Sequence, residues 1–170
     1  MSVLNMVNVR IANVADAEQI VEVMKNAEES GFMMFSPGER QISAGGFRKY
    51  IENLKQNPKS QIFVACNNEQ ILGYIMVVNE QPERISHRAY IVIGVHSDSR
   101  GKGVGKALFT AVTQWAKEMD LHRLELTVMV KNEDAVHLYK KMGFEIEGTK
   151  KDSLFVDGQF EDEYYMAKIL

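Results

Sequence analysis

The feature that most constrains this chain is a glycine-rich turn between an apolar run and an amphipathic segment. Residues 90–95 are apolar or glycine, which is typical of a buried strand. The turn reads Arg-Gly-Lys-Gly-Val-Gly over residues 100–105. After it, apolar residues recur at steps of three and four, which indicates a helix: Val104, Leu108, Ala111, Trp115 and Met119. A buried strand therefore turns into a helix at these glycines.

Such a turn is suited to binding an anion. The first amide N–H groups of a helix have no partners inside it, and the helix dipole is positive at that end. Gly101, Gly103 and Gly105 carry no side chains that would keep a ligand away, and Arg100 and Lys102 add positive charge. We therefore expect a phosphate or pyrophosphate here. A glycine-rich connector without a ligand is the alternative.

Two common phosphate-binding motifs do not match this turn. A P-loop needs Gly, four residues and then Gly-Lys-Ser/Thr, but Gly105-Lys106 is followed by Ala107 and preceded at the required place by Arg100. The dinucleotide fingerprint G-x-G-x-x-G fails because the sixth position from Gly101 is Lys106. The pattern that remains is R-x-x-G-x-G over residues 100–105.

The composition predicts one domain over residues 1–170. The chain has 45% hydrophobic and 25% charged residues, as ordinary globular proteins do, and is long enough for a substantial core. Its net charge of −3 disfavours a nucleic-acid surface, and no apolar run is long enough to span a membrane. One cysteine, Cys66, excludes an internal disulfide, so we expect a cytoplasmic protein with no nucleic-acid or membrane partner.

Hydrophobic periodicity predicts the element order β-α-α-β-β-β-α-β-α-β-β, a mixed sheet covered by helices. Asp16 is the predicted cap of the first helix and Asn132 of the last. The predicted strands cover residues 7–11, 62–66, 71–78, 89–95 and 124–130, followed by two strands around Asp157-Gly158; the predicted helices cover residues 16–31, 43–57, 104–119 and 132–143.

This order and two motifs resemble the GNAT N-acetyltransferases. The first motif is R-x-x-G-x-G, similar to that family's acetyl-CoA pyrophosphate loop. The second is N-x-x-A-x-x-L-Y-x-x-x-G-F, which runs from Asn132 to Phe144. Segments 123–128, 145–148 and 157–158 are similar to the branch with bacterial amino-acid and small-amine acetyltransferases. The resemblance implies an α/β fold with one mixed, mostly antiparallel sheet of about seven strands and about four helices.

The resemblance implies where acetyl-CoA binds. The strand ending at Val95 is expected to splay from the strand at 124–130, with the pantetheine arm in the gap. A backbone N–H near Val95 or His96 would then meet the acetyl oxygen. No metal is expected. The implied cofactor-binding residues are Val95, Arg100, Gly101, Lys102, Gly103, Val104, Gly105, Lys106 and Asn132.

Tyr139 is the proposed general acid, since a phenol is protonated at neutral pH and can donate to a departing thiolate. The alternative is a core tyrosine on an amphipathic helix. Asn132 has the same two interpretations, because it can contact the cofactor arm or simply cap its helix.

The sequence does not identify the general base. His96 follows the key strand, and imidazole is a common general base in enzymes; Glu83 and His87 are weaker candidates. A water relayed to the surface is at least as good an interpretation. Glu125 is expected to be structural, because it alternates out of the apolar set of its strand.

The sequence contains no motif for metal binding or for a nucleophilic serine. The four histidines at 87, 96, 122 and 137 lack metal-ligand spacing, and no G-x-S-x-G sequence exists. Cys66 lies inside an apolar strand, so we expect a buried small hydrophobe.

One unusual loop bears on which amine the protein would acetylate. Phe32-Met33-Met34-Phe35 is an apolar cluster in a loop, which either joins the core or lines a ligand site. If it lines the site, it favours an apolar amine, and Arg40 would pair with a carboxylate. The acidic run at 161–163 would instead attract a cationic acceptor.

The sequence thus predicts direct acetyl transfer from acetyl-CoA to a primary amine. The expected acceptor is a free amino acid or another small amine. A protein N-terminal acetyltransferase and a non-catalytic CoA-binding sensor are the alternatives, and a homodimer is a possible assembly.

Overall fold

A computed structural model describes residues 7–170, and the element order agrees with the one predicted from the periodicity. The strands are β1 (Val7–Ile11), β2 (Gln61–Asn67), β3 (Gln70–Asn79), β4 (Arg88–Val95), β5 (Arg123–Met129), β6 (Glu145–Val156) and β7 (Gln159–Ile169). The helices are α1 (Ala17–Glu28), α2 (Ala44–Leu54), α3 (Val104–Glu118) and α4 (Glu133–Lys141).

The strands form one seven-stranded sheet in the order β1-β2-β3-β4-β5-β7-β6. Every neighbouring pair is antiparallel except β4 and β5, which are parallel because α3 connects them as a crossover. The predicted mixed, mostly antiparallel α/β sheet is confirmed. Among residues 7–170, no helix has the length and apolar character needed to cross a lipid bilayer.

Each face of the sheet carries its own core, because side chains alternate along the strands. Leu108, Leu124 and Phe144 belong to the cluster under α3 and α4. Ile20, Phe47 and the predicted buried thiol of Cys66 belong to the cluster under α1 and α2. Burial raises the pKa of Cys66, which keeps the thiol in its protonated form.

The start of α1 differs from the prediction that Asp16 caps it. The side chain of Asn13 accepts a hydrogen bond from the Ala15 N–H and caps a short 3₁₀ turn, Val14–Asp16, while Asp16 makes no side-chain cap for α1. Asp16 instead forms two hydrogen bonds with the Arg10 guanidinium, at 2.7 and 2.8 Å. The Arg10 guanidinium binds this carboxylate with two charge-assisted hydrogen bonds, which together are stronger than the single bond of a cap.

This ion pair gives the fold a pH-dependent contribution. The hydrogen bond from Arg10 lowers the pKa of Asp16 below its ordinary value of 3.8, although burial opposes the shift. A carboxyl whose pKa is lower in the folded state stabilises the protein above its unfolded pKa, and this stability is lost as the pH falls through the folded pKa. Asp16→Asn should therefore lower the free energy of unfolding at neutral pH by about 1 kcal/mol, since Arg10 is partly exposed.

Urea unfolding of Asp16→Asn at several pH values measures this contribution. We expect a constant difference from the unchanged protein between about pH 7 and pH 5, and a shrinking difference below about pH 4. Glu22→Gln, an exposed position on the same helix, is the control. A difference that does not change with pH would contradict the assignment to this ion pair.

Candidate functional site

The glycine turn has the backbone conformation that the sequence predicted. Gly101 and Gly103 adopt left-handed φ angles of 72° and 83°, which residues with a Cβ rarely take. The first backbone hydrogen bond of α3 runs from the Ala107 N–H to the Gly103 carbonyl at 3.0 Å. Within residues 7–170 the amides of Val104 and Gly105 therefore have no acceptor, as expected for the first turn of a helix.

Two of the predicted cations are held at the rim of this turn by backbone carbonyls. The Arg100 Nε donates to the Val95 carbonyl at 3.3 Å, and the Lys102 Nζ donates to the Asp98 carbonyl at 2.9 Å. Both side chains are exposed, as is Lys106 on the first turn of α3. The free amides and the positive charges thus lie together, which fits a phosphate-bearing ligand.

Gly105 has a packing requirement that the sequence did not reveal. A Cβ at this position would lie 2.8 Å from Leu138 Cδ2 on α4. The residue is buried, so the absent side chain allows α3 and α4 to approach each other. A larger residue at Gly105 would disturb this packing, and only its backbone amide remains a predicted cofactor contact.

The sheet opens next to the turn. β4 and β5 pair only from Arg88/Arg123 to Tyr90/Glu125, whereas β4 stays paired with β3 as far as Val95. This confirms the predicted splay of the two strands. Beyond Tyr90, the edge of β4 that faces β5 has no strand partner among residues 7–170.

The opening exposes alternate backbone groups of β4. The His96 N–H donates to the Leu72 carbonyl of β3 at 2.8 Å. Because backbone N–H and C=O groups alternate in direction along a strand, those of Val95 and Ile93 point the other way, toward β5. Of the two backbone donors that the sequence left open, Val95 faces the opening and His96 is engaged with β3. An extended ligand can therefore pair with β4 as a strand would.

Tyr139 is buried on the α3 and α4 side of this opening. Its ring packs edge-on against Phe109, with ring centroids 5.6 Å apart, and its hydroxyl makes no hydrogen bond within residues 7–170. Burial raises the pKa of Tyr139, and the neighbouring phenol of Tyr90 raises it further. The phenol therefore keeps its proton at neutral pH. Its role as an acid stays a prediction.

Asn132 caps α4, which confirms one of the two interpretations given to it from the sequence. Its side-chain oxygen accepts from the Ala135 N–H at 3.4 Å. Contact between this residue and the cofactor arm stays a prediction.

The structure separates the candidate bases. Glu83 and His87 precede β4 and are exposed, and His87 lies beside His122 with ring centroids 6.3 Å apart. Since His87 precedes Val95 by eight residues at about 3.3 Å each, it lies roughly 25 Å away, at the far end of β4, and Glu83 precedes it. His96 is at the correct end, but its Nδ1 accepts from the Asp98 N–H at 3.1 Å. That bond leaves Nε2 as the protonated nitrogen in the neutral ring.

Glu125 forms contacts with two arginines, which fits its predicted structural role. Its carboxylate accepts from the Arg123 Nε at 2.8 Å and lies 3.8 Å from the Arg88 Nε. It lines an open pocket of about 330 Å³ with Tyr90 and Thr127, on the sheet face that α1 and α2 cover elsewhere. Among residues 7–170 no group of three or more His, Cys, Asp or Glu side chains is placed to hold a metal ion.

The apolar loop is not part of the core. Phe32 is 40% and Met34 73% exposed, so the interpretation that this cluster joins the core is wrong for these residues. Phe35 contacts Arg40, whose guanidinium carbon lies 4.4 Å from the ring centroid. The exposed side chains of Phe32 and Met34 are therefore available to a ligand.

The acidic run is occupied by contacts within the β6–β7 region. Glu161 forms an ion pair with Lys131, Asp162 accepts from the Asp152 N–H at 2.8 Å, and Glu163 bonds with Ser153. Only Glu161 is paired with a cation, so attraction of a cationic acceptor by this run stays a prediction.

Sequence reasoning missed a buried cluster behind the opening. Glu28, at the end of α1, is 4% exposed and lies 3.4 Å from Arg40. The Tyr74 ring crosses Gly94, where a Cβ would lie 2.6 Å from the ring. The available signal was Glu28 itself, an acid on the apolar stripe that Ile20, Met24 and Ala27 define.

An opened parallel strand pair beside a turn with unpaired helix amides and positive charges fits an extended acyl carrier that bears phosphate. The chain belongs to the acetyltransferase (GNAT) family and is an acetyl-CoA-dependent N-acetyltransferase, since the model of that family matches residues 23–144. It is 37% identical over 119 residues to the L-amino acid N-acetyltransferase AaaT of Escherichia coli, covering 69% of this chain and 74% of that protein.

Two further comparisons agree. The chain is 24% identical over 153 residues to the spermidine N(1)-acetyltransferase of Escherichia coli, covering 89% of this chain and 80% of that protein. The structure of a GNAT-family acetyltransferase from Streptococcus pneumoniae superposes with a TM-score of 0.91 at 26% identity, covering 96% of this chain and 99% of that one. The predicted family and fold are confirmed, whereas these relatives differ in acceptor.

The glycine turn can be tested with a matched pair of variants. Gly101→Val and Gly158→Val each place a side chain at a left-handed position with nothing within 4 Å, so the backbone strain should be similar. Only Gly101 lies at the predicted phosphate site. We expect acetyl-CoA affinity to fall at least about tenfold in Gly101→Val, measured by calorimetric titration, and to stay unchanged in Gly158→Val. Equal affinities in the two folded variants would refute the phosphate assignment.

Proposed function

We propose that this protein transfers the acetyl group of acetyl-CoA to a small primary amine, and that the acceptor is a free amino acid with an apolar side chain. The observation that carries the proposal is the opening between β4 and β5 beside the glycine turn. The unpaired Val95 N–H faces this opening, the unpaired helix amides follow it at the start of α3, and Tyr139 is buried on the α3 and α4 side.

Each group has a role in direct attack by the amine. The amides at the start of α3 and the side chains of Arg100 and Lys102 hold the pyrophosphate. The Val95 N–H donates to the acetyl oxygen as it gains negative charge, and Tyr139 protonates the sulfur that leaves. His96, or water that reaches the surface, takes the proton from the ammonium group before attack.

The Tyr139 assignment predicts a specific kinetic loss. Tyr139→Phe keeps the ring against Phe109 and removes a hydroxyl without a hydrogen bond in residues 7–170, so the melting temperature should hardly change. If protonation of the thiolate limits turnover, kcat should fall on the order of 100-fold with little change in acetyl-CoA affinity. Tyr164→Phe, a partly buried tyrosine on β7, is the control. An unchanged kcat would assign Tyr139 to core packing.

Three features support an apolar amino acid as the acceptor. Phe32 and Met34 are exposed on the loop between α1 and α2, and methionine adapts to different apolar shapes. Arg40, on the same loop, is a bidentate partner for a carboxylate. The acidic run 161–163, which would favour a polyamine, is engaged with neighbouring residues. The amino-acid acetyltransferase among the relatives agrees with this choice.

A substrate comparison tests the acceptor. We expect a higher kcat/KM for phenylalanine or methionine than for spermidine when thiol release from acetyl-CoA is measured. A higher value for spermidine would refute the proposal. Acetylation of a peptide beginning with Ala or Ser, with no reaction of either small amine, would instead assign a protein acceptor. Binding of acetyl-CoA without turnover across the amine panel would identify a sensor.

A further inference from the structure

The end of α1 carries a buried carboxylate whose hydrogen-bonding capacity is unused. Glu28 is more than nine-tenths buried, and its Oε2 has no hydrogen-bond partner within residues 7–170. Arg40 is the nearest cation, at 3.4 Å, but its N–H groups are not aligned with that oxygen. The Nε of Arg40 is likewise buried without a partner among these residues. Such groups are costly to bury and call for a specific explanation.

The pair lies next to the place where the acceptor must attack. The phenol of Tyr74 crosses Gly94, directly before Val95 at the end of β4. The last turn of α1 lies at the same place, because the side-chain oxygen of Asn26 accepts a hydrogen bond from the Ser97 N–H, two residues after Val95, at 2.7 Å. Tyr74 belongs to the core under α1 and α2, whereas Tyr139 belongs to the core on the opposite face of the sheet.

The geometry points to a new role for this pair: we propose that Glu28 binds the amino group of the acceptor and Arg40 binds its carboxylate, so that the two residues select a free α-amino acid. This inference rests on the proposed function. An α-amino acid carries its two charges one carbon atom apart, and the two side chains present the complementary charges 3.4 Å apart. Each unused group, the Glu28 Oε2 and the Arg40 Nε, then gains a partner of opposite charge.

The surroundings of the pair fit this selection. The ring of Phe35 lies against the Arg40 guanidinium at 4.4 Å and fixes its plane. Phe32 and Met34 of the same loop are exposed and can cover an apolar side chain. A polyamine has no carboxylate, so it would leave Arg40 without the second contact of the pair.

The experiment compares L-methionine with L-methioninamide, which keeps the amino group and lacks the carboxylate. Arg40→Gln should lower kcat/KM for methionine by about 10- to 100-fold and leave that for methioninamide nearly unchanged. Glu28→Gln should lower kcat/KM for both by a similar factor, mainly through KM, because both substrates carry the amino group. The neighbouring exposed residues supply the controls Glu29→Gln and Arg48→Gln, which should match the unchanged protein.

Two further measurements separate ligand binding from a structural ion pair. Calorimetric titration should give the same acetyl-CoA affinity for Glu28→Gln and the unchanged protein. The double variant Glu28→Gln/Arg40→Gln should stay impaired with methionine, because both ligand contacts are absent. Recovery of activity in the double variant, or an acetyl-CoA affinity that falls as much as kcat/KM, would show a structural pair and overturn the inference.

The remaining outcomes distinguish this inference from the proposed function. Normal kcat/KM of Glu28→Gln with methionine, in a protein that acetylates methionine, would overturn only the role of Glu28. Failure of the unchanged protein to acetylate either methionine or methioninamide, despite binding acetyl-CoA, would overturn both proposals.

Discussion

The separation of β4 from β5 is the constraint on which the rest of the candidate site depends. The two strands share pairs only as far as Tyr90 and Glu125, yet each keeps its antiparallel neighbour, β3 or β7, much further. Those outer ladders maintain the sheet while its centre opens. The opening leaves alternate backbone groups of β4 available at the very point where the chain enters the glycine turn, so one extended ligand can contact both.

The two faces of the sheet contribute different groups to the candidate site. The face under α3 and α4 supplies the helix amides and Tyr139, whose ring is fixed by Phe109. The face under α1 and α2 supplies Tyr74 and the Glu28–Arg40 pair. Because the opening connects these faces, a donor lying in the sheet can be reached by an acceptor from the other side. This arrangement agrees with the proposal that the loop before α2 forms a wall of the acceptor site.

Glycines near the opening serve three different physical needs. Gly101 and Gly103 supply left-handed backbone and an unobstructed approach to the helix amides. Gly105 allows close packing of α3 on α4, where a Cβ would meet Leu138. Gly94 gives room for the ring of Tyr74 across β4. The sequence shows a concentration of glycine, but only the packed structure distinguishes these reasons.

The sequence by itself determined the order of the elements, the strand-turn-helix at residues 100–105 and the family, because local periodicity and helix-terminus chemistry depend on neighbours along the chain. It did not identify the general base. It also misassigned Asp16 as a helix cap, because the hydrogen bonds between Arg10 and Asp16 form only in the folded structure. Only the tertiary structure shows that Glu83 and His87 lie away from the opening. It also shows that Glu28 and Arg40 lie together on the side of the sheet where Tyr74 packs. Such placements depend on contacts between distant segments, which no local pattern encodes.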